Sequence, residues 1–192
     1  SLGQPGRLKH LLQSPFTLHA TLLKWIGRET DRAKKGKPAH IIAKMNALLE
    51  PQIIRALYKA SQAGVKIDLL VRGPCALRPG IAGLSEHIRV RSIIGRFLEH
   101  SRIFYFLNDG DDRVFLSSAD WMDRNFFRRI EVAFPVLENT LRQRVIDEGL
   151  RPYLEDNTHA WTLHRDGTYR RLTPGRRSPR SAQHWLMNKL VT

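Results

Sequence analysis

The sequence holds a single cysteine, Cys75, among 192 residues. That excludes a disulfide framework and a cysteine-based zinc site, and it favours a reducing compartment. Long apolar runs are missing too: no stretch approaches the roughly 18 residues of a membrane-spanning helix. Acidic residues are scarce. Asp and Glu number 18 against 32 Lys and Arg, a formal net charge of +14. There is no Gly-x-Gly-x-x-Gly turn opening a helix, no Walker phosphate loop, no His-Glu-x-x-His pair and no paired-carboxylate signature. Rossmann-type and Walker-type nucleotide binding are therefore unsupported. Asp109, Asp111 and Asp112 lack EF-hand spacing and read as a turn. Residues 1–6 carry no apolar signal-peptide core and read as a boundary, so the chain is read as a piece of something longer. No repeat of solenoid length is visible.

What remains is a globular composition. Hydrophobic residues make up 42% of the chain, enough for a real core. Basic residues recur from Arg7 to Lys189, interleaved with apolar runs, so the charge belongs to a folded surface. Such a surface suits polyanions: nucleic acid, nucleotides, polyphosphate or an anionic membrane. The plainer reading is a basic soluble protein.

The periodicities predict an α/β order. Ser14 as N-cap and Pro15 at N1 open a helix with an apolar stripe of Leu18, Leu22, Leu23 and Ile26, closed by Lys34-Lys35-Gly36. A buried strand is expected over Ala39–Met45, a helix over Pro51–Gln62 and a strand over Val65–Val71, a β-α-β unit with parallel pairing. A Gly/Pro-rich loop follows from Arg72. Strands are expected over Ile88–Ile93, Ile103–Phe106, Val114–Leu116 and Arg129–Val136. An amphipathic helix is expected over Thr140–Leu154, with Leu141, Val145 and Leu150 inward. A hairpin about Asp166-Gly167, a basic loop over Thr173–Arg180 and a helix capped by Ser181 complete the chain. Trp121 and Trp185 read as packing residues. The sum is a mixed, largely parallel sheet with helices on both faces.

In open α/β sheets, ligands bind beyond the carboxyl ends of the strands. Arg72 lies at one such end, directly before Gly73-Pro74. Lys44 and Asn46 lie at another. His100 and Arg102 enter the next strand, and Ser117-Ser118-Ala119-Asp120 leaves the one after it, with Arg124-Asn125 close behind. Histidine can accept a phosphoryl group or act as a general acid. Arginine forks hold phosphate oxygens, and hydroxyls and turn N–H groups fill the remaining acceptor sites. The set resembles a phosphate pocket. The arginines at 170, 171, 176, 177 and 180 read as a solvated face or an inter-domain contact.

Several consecutive blocks resemble the bacterial polyphosphate kinase family: Lys44–Leu48, Leu57–Val65, Leu70–Gly73, Gly83–Ile93, Gly95–Arg102 and Leu116–Asn125. The resemblance implies a phospholipase D-like domain, the second of two at the C-terminal end of a longer enzyme. Residues 1–13 are then an inter-domain linker and 14–192 the domain. That enzyme reversibly moves the ATP γ-phosphate to polyphosphate through a phosphohistidine on the preceding domain, which has no counterpart here. By family motif, Arg72 and His100 match residues at the ATP phosphates, and His100 matches the second active-site histidine. Asn46, Lys44 and Arg102 are expected to join them as phosphate-binding residues. Ser117, Ser118, Asp120, Arg124 and Asn125 are expected to line the same pocket.

The cofactors implied are ATP/ADP and Mg²⁺, with no metal ligands on this chain. The partners implied are ATP, polyphosphate, the remaining domains and a homo-oligomer of the full-length protein, with no specific nucleic acid. The expected location is the cytoplasm, with peripheral attachment at the inner membrane as a variant. Phospholipase D-like nucleases use His-x-Lys, whereas this chain has His100-Ser101-Arg102, which fits a kinase-type site. Two alternatives stand beside this: a phospholipase D-like nuclease or phosphodiesterase acting as a dimer, and a non-catalytic polyanion- or nucleic-acid-binding module.

Overall fold

Alternation along strand β2 (His40–Met45) buries apolar side chains on both faces: Ile41, Ala43 and Met45 on one, Ile42 on the other. Strand β3 (Lys66–Val71) is also buried from Ile67 onward. Burial on both faces marks the centre of a sheet covered on each side. The structure, a computed structural model, describes residues 8–191. The first seven residues of the expected linker lie outside it. From residue 12 the chain is already part of the sheet, because β1 (Leu12–Ser14) pairs with a later strand.

The remaining strands are β4 (Ile88–Ile93), β5 (Arg102–Phe106), β6 (Arg113–Ser117), β7 (Glu131–Pro135), β8 (Ala160–Leu163) and β9 (Tyr169–Arg171). They form one sheet in the order β1-β7-β6-β5-β2-β3-β4-β8-β9. The sheet is mixed, as expected, but it is not largely parallel. Only the β2–β3 and β3–β4 pairings run parallel; the other pairings are antiparallel. The reason lies in the connections. The long crossovers after β2 and β3 allow parallel return, whereas β5 to β6 and β8 to β9 are hairpins, which force antiparallel pairing.

Helices cover both faces. Helix α1 (Leu18–Lys34) and α2 (Pro51–Gln62) pack Leu18, Leu22, Ile53 and Leu57 on one face, against Ile67, Leu69 and Phe104. Helix α3 (Asn139–Gly149), α4 (Arg151–Glu155) and α5 (Ala182–Leu190) cover the other, where Leu150, Tyr153 and Ala182 meet Ile42, Leu70 and Ile103. Glu50 caps α2, its carboxylate accepting from the N–H groups of Gln52 and Ile53 at 3.0 and 2.7 Å, with Pro51 in the first turn.

Four local expectations change. The first helix begins at Leu18, not beside Pro15, because Ser14 belongs to β1 and its buried hydroxyl donates to the carbonyls of Asn125 and Phe126. The helix expected over 140–154 is two helices broken at Leu150. Pro152 has no N–H to give the carbonyl four residues back, and its ring crowds that carbonyl. Leu141 is 51% exposed, while Leu150 is fully buried. Trp121 is buried as expected, but Trp185 is 43% exposed.

Candidate active site

The pairings bring one set of chain segments to a single edge of the sheet. It is the edge where the parallel strands β2 and β3 end, at Asn46 and Arg72. Because β5 runs antiparallel to β2, its first residue, Arg102, arrives at that edge. Ser117, at the end of β6, pairs with Arg102, and Ala133 of β7 pairs with Ser117, so Glu131 lies there too. The result is a cleft of about 720 Å³. Of the residues expected at the site, Asn46, Arg72, His100, Arg102, Ser118, Asp120, Arg124 and Asn125 line it, joined by Arg129 and Glu131. The backbone comes close here: a Cβ on Gly73 would stand 3.0 Å from the carbonyl oxygen of Asn46.

Asp120 joins both sides of the cleft. Its Oδ1 accepts from the Asn46 N–H at 2.7 Å and from Asn46 Nδ2 at 3.1 Å. Its two oxygens accept from Arg102 Nε and Nη2, each at 3.2 Å. Asn46 Oδ1 in turn accepts from Arg72 Nε at 3.0 Å. Arg102 Nη1 lies 3.3 Å from His100 Nδ1. A guanidinium only donates, so His100 Nδ1 is the acceptor and a neutral imidazole carries its proton on Nε2. Burial disfavours the Asp120 carboxylate, but the bonds from Arg102 and Asn46 outweigh it and hold its carboxyl below the usual carboxylate range.

The cleft keeps positive charge in reserve. Arg72, Arg124 and Arg129 have no carboxylate partner among the described residues. Glu131 is already engaged, accepting from the Ser118 hydroxyl and, at 2.6 Å, from Asn125 Nδ2. Asn125 Oδ1 is buried without a hydrogen-bond partner among the described residues.

Lys44 and Ser117 are not brought into the cleft lining. Ser117 Oγ donates to the Val132 carbonyl at 2.9 Å and accepts from the Ala119 N–H at 3.0 Å, which shapes the turn. Lys44 is 4% exposed and points to the α4 face. Its ammonium bonds Glu99 at 2.7 Å and lies 3.4 Å from the centre of the Tyr153 ring. Burial lowers its pKa and the Glu99 carboxylate counters that. Sequence reasoning missed this role because Glu99 and Tyr153 are remote in the chain. Gln183 completes the grip: its Nε2 donates to Glu99 at 2.7 Å and to the Phe97 carbonyl at 2.8 Å, and its Oε1 accepts from the Phe97 N–H at 2.9 Å. The segment that carries His100 is thus fastened to β2, α4 and α5.

Among the described residues no group of three or more His, Cys, Asp or Glu side chains is placed to hold a metal ion. The cleft's own carboxylates, Asp120 and Glu131, already spend their oxygens on arginine, amide and hydroxyl donors. These residues do not fit a protein-held Mg²⁺ site. No described helix is long and apolar enough to cross a membrane.

The mixed sheet has a phospholipase D-like fold. The phospholipase D family member Nuc of Salmonella typhimurium has the same fold, with a TM-score of 0.51 at 17% identity over 71% of this chain and 88% of that one. The more particular assignment comes from sequence: the profile of the family described as Polyphosphate kinase C-terminal domain 2 matches residues 11–183, and the chain belongs to that family. Polyphosphate kinases of Neisseria meningitidis serogroup B and Paraburkholderia phytofirmans are 63% and 60% identical to it, over 90% and 100% of this chain. The crystal structure of polyphosphate kinase from Porphyromonas gingivalis superposes with a TM-score of 0.93 at 40% identity, over 98% of this chain and 29% of that one. The chain spans only 25% and 28% of the two curated relatives.

Proposed function

We propose that this chain is the part of a polyphosphate kinase that holds the phosphates during transfer. ATP gives its γ-phosphoryl group to a histidine on the preceding domain, and the terminal oxygen of a polyphosphate chain then takes it up, reversibly. In the first step an N–P bond forms as the bond from phosphorus to the bridging oxygen breaks, and ADP leaves. In the second, a P–O bond replaces the N–P bond. Such transfers pass through a loose transition state with charge spread over the phosphoryl oxygens, so positioning and charge neutralisation supply most of the catalysis.

The carrying observation is the cleft itself. Arg72 is tethered through Nε, which leaves its terminal nitrogens to fork onto phosphate oxygens. Arg124 and Arg129 add charge. His100, with Nδ1 taken by Arg102, offers a proton on Nε2 to a phosphate oxygen opposite the phosphohistidine. No step needs a metal held by this chain. Mg²⁺ enters with the nucleotide. ATP as the substrate supports a cytoplasmic location for the reaction.

The isolated chain is expected to bind polyphosphate and to make none from ATP, because the histidine that carries the phosphoryl group lies elsewhere. Product assays with purified chain and with full-length enzyme check this. Robust synthesis by the chain alone would contradict it.

A further inference from the structure

The edge that holds the cleft continues past it. Strand β4 ends at Ile93, and the Ile94 N–H bonds the His159 carbonyl beside the start of β8. The loop after β9 runs along the same segment: the Asn157 N–H bonds the Arg180 carbonyl, and Asn157 Nδ2 bonds the Ser178 carbonyl at 3.1 Å. Neighbouring strands are ~4.8 Å apart, so the six steps from β6 to β9 make about 29 Å of edge.

This whole edge is positive. Strand β9 returns to this edge at Arg171, and from there to Arg180 there are four arginines and no acid. Arg96, Arg176 and Arg177 are exposed and have no carboxylate partner among the described residues. The carboxylates nearby are all engaged. Glu99 holds Lys44 and Gln183. Glu155 holds Arg180 at 2.6 Å. Asp156 accepts from the N–H groups of Thr158, His159, Ala160 and Ala182. The edge is thus built to leave its outer arginines unneutralised. Exposed like charges in a line repel one another, and a linear polyanion laid across them relieves that repulsion.

We propose that Arg96, Arg176 and Arg177 form an outer binding zone for the polyphosphate chain, which extends from the cleft along this edge toward β9. The proposal rests on the kinase reading for the identity of the polyanion. A chain too short to leave the cleft never meets this zone, so its contribution grows with chain length.

The test is an Arg176→Gln/Arg177→Gln variant of the full-length protein, titrated with long-chain polyphosphate and with tripolyphosphate over a range of salt. Long-chain affinity is expected to fall about tenfold and tripolyphosphate affinity by less than about twofold, with the slope of log K against log salt reduced by about two for two lost contacts. Equal effects on both lengths, or no effect on either, would overturn the proposal. So would duplex DNA that competes as strongly as polyphosphate, which would give the edge to nucleic acid. If the wild-type protein makes no polyphosphate from ATP, the kinase reading fails, while the chain-length comparison still decides this one.

Discussion

Through Asn46, Asp120 reaches Arg72; through Arg102 it reaches His100. Its side chain and that of Arg102 are only 10% and 13% exposed. Truncating one partner of such a pair strands the other, which costs about 3 kcal/mol. Asp120→Ala is therefore expected to lose stability of that order in urea unfolding. The pH dependence has a definite sign. The folded carboxyl titrates below its ordinary value of 3.8, so its contribution is fully present above that value and fades as pH falls through the lower folded one. Asp120→Asn should lack this part of the acid destabilisation. An identical acid profile in wild type and variant would contradict it. At this scale the sequence made His100 and Arg72 legible, because each adjoins the end or start of a strand within a family block. Lys44 looked equivalent and is not. The alternation of β2 turns it toward Tyr153, and its partner Glu99 is remote in sequence, where no local pattern reaches.

Helix α5 acts on the site through one residue. Gln183 makes three hydrogen bonds to the segment 97–99, immediately before His100. Gly95 leaves room for it, since a Cβ there would stand 2.4 Å from Gln183 Oε1. Gln183→Ala should free this segment. Faster amide exchange over 95–100 is expected, with kcat of the full-length enzyme down about tenfold from misplacement of His100. Unchanged exchange would remove the clamp from the account. Most elements were readable from periodicity: α2 and β4 match their expected bounds. The misreadings have physical causes. Pro152 breaks the long helix, a signal the apolar spacing concealed. Strand β1 has three residues and exists only through pairing with β7, which local sequence does not specify.

At the scale of the molecule, the net charge of +14 acquires a place. Carboxylates along the cleft edge are consumed by internal bonds, and the arginines left over face outward. The sequence carried the amount of this charge but not its arrangement, which depends on strand direction. The β-α-β reading correctly gave parallel β2 and β3, yet extending it across the sheet failed, because hairpins dominate on either side. The central claim is that His100 offers its proton to the phosphates from this cleft. The most direct measurement is polyphosphate synthesis from ATP by full-length enzyme carrying His100→Ala, with thermal unfolding measured alongside. Turnover is expected to fall by about 10²-fold or more, the usual contribution of a positioned proton donor, with the unfolding transition unchanged because His100 is exposed. Near-normal turnover in a folded variant would contradict the role given to His100.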